Sequence, residues 1–309
     1  MVLLVPKIGK LYTKQESHHL GCKSEALSSA LEAFRSDVSN GLNKLSVNSK
    51  PRLEILSFSW IQQCFELINI INKAFAKLVV DIDCPMNKWE AASVEEYLKY
   101  SLNLLELLNS ISLSISNLGH SRLRISHALS LVEESPSLAI ESLKASHTMN
   151  SSKEFKRNMN KEDGKEKSYS GKERVIHEAM IVMESMGFWI CGILLSGICG
   201  DEKPYSEMRK FSSRLVVFSS FPRLDSSICE AIMEKKSELV ELKELKDAEA
   251  CLVAAITIGK YRDGAEELQR RLEKFEKLLE GLGKEVDHVF KEVLNGRNQL
   301  LKSLQQRKQ

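Results

Sequence analysis

The sequence predicts an all-α protein, a bundle of long antiparallel helices that ends in a coiled-coil-like helical hairpin. Two observations support this fold class. The 309 residues contain only 15 Gly and 6 Pro, which is too few for the many turns of a β-sandwich or barrel. Apolar residues also recur at alternating steps of three and four along most of the chain, which is the spacing of one helix face.

The first two helices are predicted from apolar spacing and from proline. The stripe of the first helix starts at Leu27, and a second stripe starts near Pro51, a residue that a first helical turn tolerates. The second helix has apolar residues on two faces, which indicates a central position. Its end is expected before Pro85, because proline disfavours helical geometry in the preceding residue.

A third long helix is predicted over residues 89–118, with Gly119 as its C-terminal cap. A shorter helix containing Leu123, Leu129 and Val132 is expected to follow and to stop at Pro136. Helical spacing resumes at about Lys172 and continues to about Cys199.

Composition divides the chain into four segments. We expect a flexible tail at 1–23, an N-terminal helical region at 24–147, a basic disordered linker at 148–172, and a C-terminal helical region at 173–309 with a hairpin at 225–306. Between Lys144 and Arg174, nine Lys or Arg accompany five Asp or Glu without a periodic apolar face. Phosphorylation of the linker serines or of Tyr169 would make it less basic, although a solvated, unregulated tether is the favoured interpretation.

The C-terminal third carries an unbroken coiled-coil pattern. Its apolar positions are Leu268, Leu272, Phe275, Leu279, Leu282, Val286, Val289 and Val293. A single long helix over 225–260, joined to this one at Asp263-Gly264, would give an internal antiparallel hairpin. An intermolecular coil would use the same residues, so self-association and partner binding through Leu272, Leu279 and Val286 remain open hypotheses.

One apolar window has two interpretations. Sixteen uncharged residues lie between Glu184 and Asp201, whereas a membrane-spanning helix needs about 20 residues. A buried bundle helix is therefore favoured. The alternative is a membrane-associated adaptor that uses the 186–200 helix, with contacts from Phe188, Trp189, Ile193 and Leu194, together with the basic linker.

Catalytic, cofactor and metal motifs are not found in the sequence. The Gly-Lys pairs lack the Ser or Thr of a phosphate-binding loop, and zinc-protease, nucleophile-elbow and dinucleotide motifs are missing. His18, His19 and Cys22 lie close together, but a solvated tail is favoured over a metal site. We therefore expect no catalytic residue, no cofactor and no metal, and an unrecognised enzyme that binds a small apolar ligand is kept only as an alternative.

Charge and cysteine usage restrict the partners and the compartment. The formal net charge of +2 carries no general signature of nucleic-acid binding. Seven cysteines without a C-x-x-C pair favour a reducing compartment. The apolar stretch at the N-terminus is too short for a secretory signal peptide, so a cytoplasmic location is expected. The alternative is a protein that binds peripherally to an endomembrane or is anchored in it.

Three motifs resemble a known family when they are taken in order. They are Leu56-Ser57-Phe58-Ser59-Trp60, then Asp83-Cys84-Pro85-Met86-Asn87-Lys88-Trp89, then Glu96-Tyr97-Leu98 leading into Leu102, Leu104, Leu105, Leu107 and Leu108. This order resembles the plant BYPASS family, in which a Leu-Ser-x-Ser-Trp helix precedes a Pro-x-x-x-Trp turn and a leucine-rich helix containing Tyr-Leu. The similarity is good over about 53–132 and weaker beyond.

The resemblance implies a non-enzymatic regulator of plant root and shoot development. The founding group is associated with restraining a root-derived mobile signal that arrests shoot growth, and the family supplies no catalytic residues to transfer. Its members have been assigned to cytoplasm, endomembranes and plastid, and the divergent N-terminus here makes a plastid the less favoured location. We therefore predict a helical scaffold for protein partners of unknown identity.

Overall fold

The computed structural model describes residues 19–48, 55–147, 169, 171–234 and 238–307. The described residues form helices and no strand, which confirms the all-α prediction. The α-helices are α1 (His19–Asn48), α2 (Phe58–Asp81), α3 (Ala91–Ser130), α4 (Pro136–His147), α5 (Gly171–Cys199), α6 (Lys203–Arg209), α7 (Phe221–Glu234), α8 (Val240–Thr257) and α9 (Arg262–Arg307), and 3₁₀ helices lie at Met86–Lys88 and Ser212–Val217. Most of the predicted tail and linker, residues 1–18 and 148–168, lies outside the described residues.

The helix α5 lies at the centre of a single hydrophobic core. Its side chains are buried almost continuously from Val175 to Ile198, and it packs against α1, α2, α3 and α6. A helix that is apolar around its whole circumference is stable in water only when other helices surround it. The helical regions on either side of the predicted linker therefore contribute to one core.

The long helix α9 closes the bundle on one side. It has 46 residues and spans roughly 70 Å, and it packs mainly on α3 and α8, with a smaller contact to α2. All eight seam residues predicted from the heptads are buried. The apolar stripe of α9 is therefore covered from within the chain, while the coiled-coil character of the predicted hairpin stays a prediction.

Two predicted boundaries in the first half are wrong. The helix α2 begins at Phe58, not near Pro51, because Ser57 is its N-cap and accepts a hydrogen bond from the Trp60 amide. The helix α3 does not end at Gly119 but continues to Ser130, with Leu118 and Ile125 both buried. Packing of these residues outweighs the cost of glycine inside a helix, which is about 1 kcal/mol.

The predicted single helix over 225–260 is also wrong. The helix α7 ends at Glu234 and α8 begins only at Val240. The Leu239 amide donates to the Gly197 carbonyl at 3.0 Å, and the Val240 amide donates to the Leu56 carbonyl at 3.2 Å. These long-range bonds hold Leu239, which has an extended and not a helical conformation, at the start of α8.

Candidate functional site

A polar cluster in the core is centred on Asp225 of α7, which is 6% exposed. Its Oδ1 accepts hydrogen bonds from Trp189 Nε1 at 2.8 Å and from the Tyr205 hydroxyl at 2.7 Å. Its Oδ2 accepts from Arg209 Nε at 2.8 Å and pairs with the same guanidinium at 2.7 Å. One carboxylate thus joins α5, α6 and α7.

The electrostatics of this cluster keep its phenol protonated. Burial raises the pKa of Tyr205, and the hydrogen bond to Asp225 raises it further. The Arg209 guanidinium also lies over the Tyr205 ring at 5.9 Å, a cation–π distance. Asp225 is therefore neutralised by Arg209, and Tyr205 acts as a hydrogen-bond donor and not as a base.

A second carboxylate caps the start of α3 from α5. Glu173 is 7% exposed, and its Oε1 accepts from the Glu90 amide at 3.1 Å. Its Oε2 accepts from the Ser93 hydroxyl. Because the first amides of a helix lack intrahelical partners, Glu173 supplies a cap that the local sequence of α3 does not provide.

A third carboxylate performs the same task for α2. The Phe58 amide lies 3.2 Å and 3.1 Å from the two carboxylate oxygens of Glu241 on α8. Burial raises the pKa of Glu241, while backbone hydrogen bonds, including that from Phe58, oppose this shift. Both Glu173 and Glu241 stand in the first turn of their own helices, and each caps a different helix.

A fourth cluster holds Tyr169 against the bundle. The Tyr169 hydroxyl donates to Glu96 Oε1 at 2.6 Å, and His177 Nδ1 lies 2.8 Å from Glu96 Oε2. The two rings stack with centroids 4.3 Å apart. Burial, together with the hydrogen bond to Glu96, raises the pKa of Tyr169. This side chain is thus anchored on α3 and α5.

Two of the motifs that resemble the family, the Pro85 to Trp89 turn and the Tyr97 segment, have structural roles between α2 and α3. Trp89 is 1% exposed, and its Nε1 donates to the Cys84 carbonyl at 2.9 Å. Its ring packs edge-on against Tyr97 and Phe75. Burial raises the pKa of Tyr97 to about 12. The Pro85 turn therefore brings Trp89 back onto α2 and α3.

A shallow apolar cleft lies between the start of α3 and the end of α9. It has a volume of about 380 Å³ and is lined by Trp89, Ala91, Val94, Glu95, Leu98 and Leu304. That volume lies within the range of small-ligand pockets. Glu95 is its single titratable lining residue, so the lining alone provides no acid–base pair, and the enzyme alternative remains a hypothesis.

The outer face of α9, the longest helix among the described residues, is exposed. Acidic side chains recur there every seven residues at Glu266, Glu273, Glu280 and Asp287, and basic ones at Arg270, Lys277, Lys284 and Lys291. Each acidic residue precedes a basic one by four positions, which stabilises a helix. At the N-terminal end, hydrogen bonds from Arg270 and Arg271 lower the pKa of Glu267 to about 2.

The residues predicted to bind a partner are not on this face. Leu272, Leu279 and Val286 are 3%, 7% and 1% exposed, so they pack inside the chain. Partner binding through them is not tested by this single chain, but it would require α9 to leave the core. The sequence pattern placed these residues correctly on one stripe and did not determine which helices would cover it.

The residues predicted as the membrane contact are also in the core. Phe188, Trp189, Ile193 and Leu194 are all 0% exposed. The α5 helix is long and apolar enough to cross a membrane, with a mean hydropathy of 1.8 in an 18-residue window, but 89% of that window is buried. A central core helix meets the same criterion, so this is weak evidence for a membrane span.

The remaining predicted groups are located as follows. Within the described ranges, no three His, Cys, Asp or Glu side chains are placed to hold a metal ion, and His18 and the side chains of His19 and Cys22 lie outside those ranges. The six cysteines whose side chains the structure describes form no disulfide with one another. Sequence reasoning missed Glu173, Glu241 and Asp225, although an acidic residue in a first helical turn is a recognisable signal for the first two.

The fold and these contacts define an all-helical bundle in which the carboxylates of Asp225, Glu173 and Glu241 join separate helices. The family model described as Protein BPS1 matches residues 86–302, so the chain belongs to the Protein BPS1 family. This confirms the resemblance inferred from the motifs, and it supports a regulatory role in plant development. The name of the family states no enzymatic activity.

Curated relatives agree with this assignment. The chain is 23% identical over 318 residues to the Arabidopsis thaliana protein named Protein BPS1, chloroplastic, covering 93% of this chain and 88% of the relative. It is 22% and 21% identical over 247 residues to UPF0496 protein 4 of japonica and indica rice, covering 74% of this chain and 54% of each rice protein. The chain thus spans about half the length of the rice relatives. No solved structure matches it.

The expected cytoplasmic location is contradicted by these comparisons. The name of the Arabidopsis relative assigns that protein to the chloroplast, which points to a plastid and away from the cytoplasm. The expectation rested on the cysteine usage and on the short apolar stretch at the N-terminus, and the divergent first residues had made a plastid the less favoured location.

Proposed function

We propose that this protein regulates plant root and shoot development from the plastid, as a non-catalytic helical scaffold that binds protein partners through the outer face of α9. Restraint of a mobile signal of root origin is part of the same proposal. The observation that carries it is the contrast between the two sides of α9. The apolar side is covered within the chain, and the charged side remains exposed along the helix.

The polar contacts inside the bundle hold its helices together, which supports a function in binding at the protein surface. Asp225, Glu173 and Glu241 accept hydrogen bonds that join separate helices, and Asp225 is also paired with Arg209. Carboxylates used in this way hold a bundle rigid. A rigid support lowers the entropic cost of ordering an interface, which favours binding.

The charge pattern on α9 suggests how partners would be selected. Lys277, Lys284 and Lys291 form one exposed stripe at heptad spacing. A partner helix with acidic residues at the same spacing would match this stripe, as charged flanking positions do in coiled coils. Complementary charge of this kind sets specificity and association rate more than it sets raw affinity.

The test is purification of the tagged full-length protein from plastids, beside a variant with Lys277→Glu, Lys284→Glu and Lys291→Glu. A control variant carries Lys44→Glu, Lys77→Glu and Lys203→Glu, which change the charge equally at exposed lysines elsewhere. Circular dichroism first establishes that both variants are folded.

The proposal requires a stoichiometric partner that co-purifies with the wild type and the control and is lost from the α9 variant. Expression of the α9 variant in a plant that lacks the protein should then fail to restore normal root and shoot growth. Identical partners with all three proteins, or none with any of them, would refute scaffolding through α9.

A further inference from the structure

The short 3₁₀ helix Ser212–Val217, between α6 and α7, carries two adjacent apolar side chains that face solvent. Val216 is 61% exposed and Val217 is 71% exposed. Single exposed apolar residues are ordinary on protein surfaces. Two neighbouring branched side chains that protrude from a short turn form a compact apolar point and need a partner of matching chemistry.

The segment is held firmly on both sides of these valines. Leu215 and Phe218 are 0% and 4% exposed, and the Phe218 amide donates to the Leu215 carbonyl at 3.0 Å. Ahead of them, the Phe211 ring packs edge-on against Phe188 of α5 with centroids 5.7 Å apart. The core helix therefore fixes the turn in a conformation that directs Val216 and Val217 outward.

Positively charged residues flank the valines in the sequence. Residues 208–224 contain Arg209, Lys210, Arg214 and Arg223 and no Asp or Glu, and all four cations are exposed. Arg209 pairs with Asp225, and Lys210 pairs with Glu207. Arg214 and Arg223 form no ion pair with another described residue, so their charge is available. We call residues 209–223 the basic tip.

We propose that the basic tip docks on the anionic lipid headgroups of a membrane surface. Val216 and Val217 enter the boundary between headgroups and acyl chains, while Arg214 and Arg223 lie among the negative headgroups. A peripheral protein binds membranes through this combination of a small apolar insertion and surrounding cations. Exposed side chains such as Val216 and Val217 can insert into the deformable surface of a bilayer. A peptide would instead require a groove in which to bind.

This docking does not use the apolar helix α5. The side chains of α5 stay in the core, and the protein remains folded as described while only the basic tip enters the interface. The inference is also separate from scaffolding through α9, because the two surfaces share no residue and can be disabled independently.

The first experiment is co-sedimentation of the full chain with phosphatidylcholine vesicles, with and without phosphatidylglycerol. We expect binding only when phosphatidylglycerol is present, and weaker binding as salt increases, because salt screens exposed charges. Val216→Ser with Val217→Ser should weaken vesicle binding about tenfold. Arg214→Glu with Arg223→Glu should weaken it by about tenfold or more.

Matched controls separate the basic tip from general surface effects. Val80 and Ile258 are 66% and 71% exposed on other parts of the bundle, so Val80→Ser with Ile258→Ser removes comparable apolar groups. Lys44→Glu with Lys77→Glu gives the same change of charge at a distance. Both controls should bind phosphatidylglycerol vesicles like the wild type.

A second measurement reports insertion directly. In a Val217→Trp variant, phosphatidylglycerol vesicles should shift the indole emission to shorter wavelength, whereas Val80→Trp should show no shift. The proposal would be overturned if the basic-tip variants and the control variants bound vesicles equally. It would also be overturned if the wild type did not bind phosphatidylglycerol vesicles. Binding of polyglutamate through Arg214 and Arg223 without vesicle binding would also overturn it and would assign the surface to an acidic protein.

Discussion

The indole Nε1 of Trp189 donates a hydrogen bond of 2.8 Å to Asp225 Oδ1, which fixes α7 to the middle of the core helix α5. Both residues are buried. Because Asp225 also accepts from Tyr205 and Arg209, a single side chain determines how three helices meet. This relationship has a direct consequence for stability.

Replacement of Asp225 by alanine should lower the free energy of unfolding by roughly 2 to 4 kcal/mol. The substitution leaves the Trp189 donor buried without its acceptor and removes the partner of Arg209. Tyr205 loses its shorter bond to the carboxylate and keeps only the 3.2 Å bond to the backbone carbonyl of residue 225. Urea denaturation followed by circular dichroism measures the loss. Asp247 is exposed, so Asp247→Ala should stay within about 0.5 kcal/mol of wild type. Equal stability of the two variants would show that the cluster is not structural.

A glycine on α5 sets the distance to α6. A Cβ at Gly192 would lie 2.7 Å from Met208 Cβ and 3.1 Å from the Pro204 carbonyl oxygen. Gly192→Ala should therefore destabilise the protein by about 1 to 3 kcal/mol. Gly283 in α9 has no atom within 4 Å of the same position, and Gly283→Ala should stabilise by about 0.5 to 1 kcal/mol. Thermal melts compare the two alanine variants with the wild type. A shift of both melting temperatures in the same direction would contradict the close packing of α5 on α6 at Gly192.

The Leu-Ser-x-Ser-Trp motif contains two serines with different roles. The Ser57 side chain caps α2 by accepting from the Trp60 amide at 3.3 Å, whereas Ser59 is exposed. Ser57→Ala should cost about 1 kcal/mol of unfolding free energy, and Ser59→Ala should stay within about 0.5 kcal/mol of wild type. Urea denaturation of the two variants decides between these roles. A larger loss of unfolding free energy for Ser59→Ala would contradict the assignment of Ser57 as the N-cap of α2.

A half-buried carboxyl on α5, that of Glu184, should make stability depend on pH. Burial raises the pKa of Glu184, while Lys99 opposes the shift. Stability is complete below the pKa of the unfolded chain, where both states bind the proton, and falls as pH rises through the higher folded pKa. Glu184→Gln removes this loss, so it should be more stable than wild type at neutral pH.

The measurement for Glu184 is the urea midpoint of the variant and the wild type from mildly acidic to neutral pH. Their difference should grow with pH. Exposed Glu133 supplies the control, because Glu133→Gln should stay within about 0.5 kcal/mol of wild type. A constant difference between Glu184→Gln and wild type would contradict the assigned cause.

The sequence predicted α9 well for a physical reason. Its apolar positions repeat without interruption from Leu268 to Val293, and a helix with one apolar stripe must bury that stripe. The pattern does not encode which surface covers it. The cover comes from α8, which is near in the sequence, and from α3, which is far away.

The helix boundaries are predicted wrongly where contacts between residues distant in the sequence outweigh the local sequence signals for helix ends. Gly119 is a local stop signal, yet the next turns of α3 continue to bury apolar residues such as Ile125. The break before Val240 leaves no mark in the apolar spacing, since it is held by hydrogen bonds to Gly197 and Leu56. The cap that Glu173 provides for α3 is likewise invisible until the two helix ends are adjacent.

The seam of α9 is closed within one chain, which leaves the outer face for partners. Sedimentation equilibrium of the protein over a wide concentration range tests whether the seam is also closed in solution. We expect a constant mass of 34.9 kDa with helix content unchanged on dilution. A mass of two chains that dissociates on dilution with loss of helix would contradict it, because the seam would then be shared between molecules.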